Sequence, residues 1–284
     1  MNQNTTARPV DESKYSRRRV AVLVLVHIAV GAHIAHWKLS GRTVAPLELN
    51  EVVYTFTAGI ITAGFLLLVA AVIASAIFGR FFCSWACHIL ALQDTFRWAL
   101  GKFGITLRPM RSRVLRWIPF AAAAYMFLAP LVWRIVKEGS LPTLHFRSDA
   151  QGWASLVTSD YWRNLPGGWI TLSTFAVCGG VIVYTLGSRA FCSSVCPYGA
   201  VFGLADKIAP GRLISKGECA GCAKCTAACS SHIRVHEELA TFGTVVDKSC
   251  LRDLDCMAAC PNGNIVFGFT TPPLLRGAKP LRGL

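Results

Sequence analysis

The chain has 284 residues, 53% of them apolar and 15% charged, with a mean hydropathy of +0.45, which is too apolar for one soluble domain. Its net charge of +14 would suggest nucleic acid in a soluble protein, but no basic and aromatic recognition motif accompanies it. In a membrane protein the place of each Lys and Arg matters more than their sum. Twelve cysteines, seven of them between Cys219 and Cys260 and four in two matched pairs upstream, exclude a simple carrier or pore.

Residues 1–19 form a tail carrying Arg8, Lys14, Arg17, Arg18 and Arg19. The first membrane segment, Val20 to Trp37, has 18 residues and no formal charge, against the roughly 20 that cross a bilayer. It is long for a signal peptide and lacks a small-residue cleavage site, so it reads as an uncleaved helix. His27, His33 and His36 fall on about one of its faces. His33 and His36 are interfacial, and His27 is deeper, where a polar group is costly and marks function. A quinone headgroup could use that face; a haem is disfavoured, because no other membrane segment contains a histidine.

The second segment, Val52 to Gly79, has 28 residues and runs into GRFFCSWACHILA, residues 79–91. The third and fourth, Trp117 to Trp133 and Asn164 to Ser188, have 17 and 25. Trp37, Trp117, Trp133 and Trp169 stand at segment ends, where indoles prefer the interface. Between the last two segments, the loop with Trp153, Tyr161 and Trp162 is expected to lie on the membrane surface. Cys178 reads as a small core residue. The tail, the loop Arg80 to Arg116 and everything after the fourth segment hold 23 basic residues, and the other loops hold six. That ratio puts both termini in the cytoplasm.

After the fourth segment comes SRAFCSSVCPYGA, residues 188–200, which aligns without gaps to residues 79–91 at an offset of 109. Arg80 matches Arg189, Phe82 matches Phe191, Cys83 matches Cys192, Ser84 matches Ser193 and Cys87 matches Cys196. The membrane domain, residues 20–210, is therefore expected to be two parallel repeats, each a helix out, a helix back and an Arg-Phe-Cys motif at the cytoplasmic surface. Cys83, Cys87, Cys192 and Cys196 should lie together as a cofactor-binding group; a redox dithiol, a copper site and a third cluster are all open. Cys87-His88 is one residue too long for the C-x-x-C-H haem attachment, so covalent haem is disfavoured.

Residues 211–270 hold Cys219, Cys222, Cys225 and Cys229 in the spacing C-x2-C-x2-C-x3-C, the run that wraps iron-sulfur clusters in bacterial ferredoxins. Structural zinc prefers two C-x2-C knuckles set farther apart. A second half-motif holds Cys250, Cys256 and Cys260. Crossed ligation predicts a 4Fe-4S cluster A on Cys219, Cys222, Cys225 and Cys260. Cluster B would take Cys229, Cys250 and Cys256. Laid over the first run, Asp253 falls where a cysteine should be, making cluster B an Asp-ligated 4Fe-4S or a 3Fe-4S centre. Ser230, where a proline often follows the fourth cysteine, is a second departure. Residues 271–284 read as an extended basic tail that could touch anionic lipid.

Together GRFFCSWAC, SRAFCSSVCP and CAGCAKCTAAC resemble the NapH, NosR and RdxA (CcoG) group of membrane-bound polyferredoxins, over roughly residues 15–270. NapH is nearest in architecture. The resemblance implies an α-helical membrane protein of four transmembrane helices plus a cytoplasmic two-cluster ferredoxin domain, in a bacterial inner membrane. It implies electron supply to respiratory reductases with quinol as donor and other redox subunits as partners, or copper handling for oxidase assembly. His88 stands where that group has proline. An iron-sulfur sensor is a further reading of the residues. No nucleotide fingerprint, phosphate loop or nucleophile elbow is present.

Overall fold

The computed structural model describes residues 13–105, 107, 114–147, 156–161, 167–272 and 275. Arg8, Trp153, Trp162 and most of the tail from 271 to 284 lie outside the described residues.

Helix α1, Lys14–Ser40, is longer than the apolar run that announces it. The Ser13 side chain caps its start by accepting the Ser16 N–H at 3.0 Å, and Gly41 ends it in the left-handed conformation. Among the described residues, three helices are long and apolar enough to cross a membrane: α1, α6 (Ile118–Glu138) and α7 (Gly168–Leu186). Protein covers at most 11% of their apolar windows, and side chains such as Leu25, Tyr125 and Trp169 stand exposed along them. An apolar surface of that extent requires a nonpolar solvent. Both α6 and α7 widen into a π-helical turn, at Ala124–Leu128 and Phe175–Val181. In α6 the turn precedes Pro130, which has no N–H to give to a regular helix.

The single second segment expected from the sequence is not one helix. It divides into α2, Val52–Ala58, and α3, Ala63–Phe78. Gly59 takes φ 76°, a left-handed turn, and the chain beyond it runs extended beside His145. Ile61 N donates to His145 O at 3.0 Å, and His145 N to Gly59 O at 2.9 Å. Thr62 then caps α3 by accepting the Phe65 N–H at 3.1 Å. At 16 residues, α3 is about 24 Å long. A two-residue antiparallel pair, β1 (Thr43–Val44) with β2 (Val157–Thr158), joins the loops at the far end of α1.

Short helix α4, Phe81–Trp85, leads into α5, His88–Lys102. The sequence-matched stretch forms α8, Ala190–Ser194, and α9, Pro197–Asp206. Strand β3, Gly211–Ser215, pairs antiparallel with β4, Ile265–Phe269, from Gly211 opposite Phe269 to Ser215 opposite Ile265. This closes the cysteine-rich segment on itself around α10 (Lys224–Ala228), α11 (Val235–Phe242) and α12 (Asp255–Ala259). Two buried cores result. One gathers Leu213, Leu239, Val245 and Ile265 with Cys225, Cys229, Cys250 and Cys256. The other gathers Leu68, Leu90, Phe127 and Phe202 with Cys83 and Cys192.

Candidate metal centres

The first centre follows from local backbone geometry. Cys219, Cys222, Cys225 and Cys260 line one small cavity, together with His236 and Pro261. Thr226 and His236 are hydrogen-bonded through Oγ and Nδ1 at 2.7 Å, which fixes the imidazole beside the thiols. Ala223 and Leu254 both take left-handed backbone, and Cys229 and Cys260 both end five-residue helices in extended conformation. The two half-motifs thus repeat in three dimensions at the register that sets Asp253 against Cys222.

In the second centre, Cys229, Cys250 and Cys256 share one buried core. Burial raises all three thiols, and the Asp253 carboxylate raises each further, opposed at Cys250 by the Arg252 charge. Asp253 is itself buried. Its Oδ2 accepts the Ser230 hydroxyl, and Asp255 N donates to Oδ1 at 3.4 Å. The two departures from the ferredoxin pattern, Ser230 and Asp253, are therefore partners, a link the sequence did not disclose.

The third centre unites the paired cysteines. Cys83 and Cys192 are 6% and 5% exposed within the same core, with Cys87 packed against it. Cys87 and Cys196 occupy the same place in their segments, each the N-cap of the helix that follows. The first-turn N–H groups, of Leu90 and Ile89 at Cys87 and of Gly199 and Tyr198 at Cys196, favour the thiolates, though neither sulfur closes a capping hydrogen bond. Burial dominates even so: it pushes Cys87 up to about 12 and Cys196 up to about 11, the neighbouring thiols adding to it. Gly199 admits no side chain, since a Cβ there would collide with Cys192 O and come within 3.2 Å of Arg80 Nη2.

Buried arginines surround the second and third centres. Arg80, 2% exposed, donates to Cys192 O at 2.9 Å and to Lys248 O at 2.8 Å. Burial raises the Cys83 thiol, and the charge of Arg80 offsets only part of the rise. Arg189 pairs with Asp94 at 3.2 Å and lies 4.0 Å from Asp253. Arg252 pairs with Asp206 at 2.7 Å beside Cys250. Among the described residues, Arg80 Nε, Arg189 Nε and Nη1, and Arg252 Nε are buried without a hydrogen-bond partner. Such donors are costly unless an anion accepts them, and thiolates carrying a cluster and its sulfides are acceptors of that kind. The donor set therefore fits iron-sulfur clusters. Arginine was counted from sequence as topological charge, although the alignment of Arg80 with Arg189 marked both positions.

Among the described residues, no group of three or more His, Cys, Asp or Glu side chains is drawn tightly enough around one point for a single metal ion. A four-iron cluster takes one thiolate per iron and spreads its ligands more widely. His88, next to Cys87, is lowered by burial and by the nearby charge of His27, so the two histidines are neighbours. His33 and His36 instead bond Val44 O at 2.9 Å and Thr43 Oγ1 at 3.0 Å near β1.

The structure thus presents a cysteine-rich segment of ferredoxin-like spacing joined to membrane-length helices. The family model described as a 4Fe-4S binding domain matches residues 60–106 and 169–216, the two stretches that carry Cys83, Cys87, Cys192 and Cys196. The chain is similar to the putative electron transport protein YccM of Escherichia coli K12, 27% identical over 78% of this chain and 60% of that protein. It is also similar to the methylamine utilization ferredoxin-type protein MauN. The Methylobacillus flagellatus form is 24% identical over 75% of this chain and 74% of its own, and the Methylorubrum extorquens form 26% over 61% and 56%. No solved structure matches the chain.

Proposed function

We propose that the chain is a membrane-bound iron-sulfur protein that carries electrons between a quinol or cytoplasmic donor and a redox partner. One observation carries this reading: a single loop belongs to both cores. Cys250 lies in the core of the ferredoxin cysteines, and its neighbour Leu251 in the core of Cys83 and Cys192. Arg80 holds the loop at Lys248 O, and Trp85 Nε1 donates to Arg252 O at 3.1 Å. A few bonded and packed atoms thus link the second and third centres.

Cluster A would be held by Cys219, Cys222, Cys225 and Cys260, and cluster B by Cys229, Cys250 and Cys256 with Asp253. Cys83, Cys87, Cys192 and Cys196 would hold a third, an assignment supported by the family match over both C-x3-C stretches. A bound 4Fe-4S cluster supplies one-electron chemistry at a potential set by charge, hydrogen bonds and exposure. The residues bind it, exclude water and fix the buried arginine charges that tune it. Four crossings, in two parallel units with both termini in the cytoplasm of a bacterial inner membrane, complete the reading. The pair α2 and α3 forms the second crossing.

Iron and sulfide analysis with anaerobic EPR tests the cluster assignment. Three complete centres give about twelve irons per chain, and Cys83→Ser with Cys192→Ser removes about four without disturbing the ferredoxin signals. An unchanged iron content in that variant, or stoichiometric Cu(I) binding that it alone loses, overturns the third cluster.

A further inference from the structure

His27 and His88 form a pair that none of the three centres uses. Along α1, Arg19, Leu23 and His27 follow one another at one-turn spacing, on a single stripe of the helix. Arg19 and Leu23 are buried, Arg19 against Asp94 of α5 at 3.3 Å, whereas His27 is exposed. His27 is thus the residue at which the stripe leaves the protein. One turn further, at Gly31, a Cβ would meet nothing within 4 Å, so the space beside the ring is open. Two points of approach, Arg19 to Asp94 and His27 to His88, run α1 and α5 antiparallel. The rises between them, about 12 Å on α1 and about 9 Å on α5, agree with that register.

The Leu23 carbonyl accepts from His27 Nδ1 at 2.7 Å, so in the neutral ring Nε2 is left as an acceptor. His27 lies about 10 Å inside the apolar run that starts at Val20, with Val24 and Ile28 exposed next to it. A water-soluble ligand does not reach a ring at that depth, and a lone ion is costly there. His88 is the first residue of α5 and follows Cys87 directly, so whatever the two rings hold sits beside the centre on the paired cysteines. A lipid-soluble molecule with hydroxyl or carbonyl oxygens meets these conditions. Among such molecules, the one that exchanges electrons with a neighbouring centre is a quinol.

We propose, resting on the quinol donor of the reading above, that His27 and His88 bind the headgroup of a membrane quinol. One hydroxyl donates to His27 Nε2, the headgroup fills the space beside Gly31, and His88 bonds it from α5.

Binding is read without turnover, by the fluorescence quenching of 2-heptyl-4-hydroxyquinoline N-oxide, a quinol analogue, titrated into the full chain with its clusters in neutral detergent. The wild type should bind one analogue per chain. His27→Leu and His88→Leu should each weaken binding by about tenfold, the size of one hydrogen bond. His27→Gln, which keeps an acceptor, should bind more tightly than His27→Leu. His33→Leu, at a histidine of the same helix bonded to Val44 O, should bind as the wild type does. Iron-sulfur absorption is recorded in every sample before and after menaquinol. A wild type that binds the analogue and is bleached by menaquinol, with both leucine variants binding as tightly, overturns this site and leaves the quinol reading standing. A wild type that neither binds the analogue nor bleaches overturns both. A haem band that is lost in His27→Leu would give the pair to haem and overturn the proposal as well.

Discussion

Arg80 faces the thiols of one proposed centre with its guanidinium and the loop of another with the same group. A buried cation favours the reduced, more negative state of a cluster, so Arg80→Met should lower the midpoint potential of the centre on Cys83 and Cys192. A unit charge a few ångströms away at an effective dielectric near 20 gives a shift on the order of 100 mV. An EPR redox titration reads it, and an unmoved or raised midpoint would contradict the placement. Asp253 offers a second test. Held by Ser230, it is a weaker and harder donor to iron than a thiolate. Asp253→Cys should therefore slow chelator removal of iron from cluster B, whereas an unchanged rate of iron loss would argue against ligation at this position.

The raised thiols of Cys87 and Cys196 carry a pH dependence. An unfolded chain gives up these protons near the ordinary thiol value of about 8.5, whereas the folded, cluster-free protein keeps them until pH approaches about 12 and about 11. Their contribution to stability is thus fully present below the unfolded value and is lost as pH rises through the folded values. Thermal melts of cluster-free protein should show a larger fall in Tm above about pH 9 than melts of the Cys87→Ser, Cys196→Ser variant. An equal fall in both would contradict the cause.

At the scale of elements, the helix after each C-x3-C motif starts on its second cysteine, so backbone and ligand are set together. Gly199→Ala would force α9 away from the Cys192 carbonyl of α8, where the added Cβ would otherwise collide. Overpacking of this kind costs about 1–3 kcal/mol, and the expected outcome is loss of the centre on the paired cysteines with the ferredoxin centres retained, read by EPR. A full set of signals in that variant would show that the site tolerates the shift. The spacing C-x2-C-x2-C-x3-C was legible because ligands within one turn of chain are a local pattern, and the offset of 109 because it repeats residue types. The break at Gly59 was not, since apolar periodicity is the same on both sides and the pairing with His145 is distant in sequence. The bond from Arg80 to Lys248 and that from Ser230 to Asp253 were hidden for the same reason: each joins segments that only the fold brings together.

Across the whole molecule, buried ion pairs join what the sequence divides. Arg19 of α1 pairs with Asp94 of α5 at 3.3 Å and with Asp255 of α12 at 3.1 Å, and Ser13 Oγ donates to Asp255 at 2.6 Å. The first helix is thereby locked to the ferredoxin unit close to its cysteines. Removing one partner of such a buried pair is strongly destabilising, by about 3–5 kcal/mol. That joint frame makes a continuous electron route between the paired cysteines and the ferredoxin cysteines physically reasonable, because neither site can drift from the loop they share.

The most direct test is anaerobic optical spectroscopy of the protein in liposomes on addition of menaquinol, for the wild type and for Cys83→Ser with Cys192→Ser. The expected result is bleaching of the iron-sulfur band in the wild type and none in the variant, whose ferredoxin clusters remain reducible by dithionite. Bleaching at the wild-type rate in the variant would contradict a route through the paired cysteines.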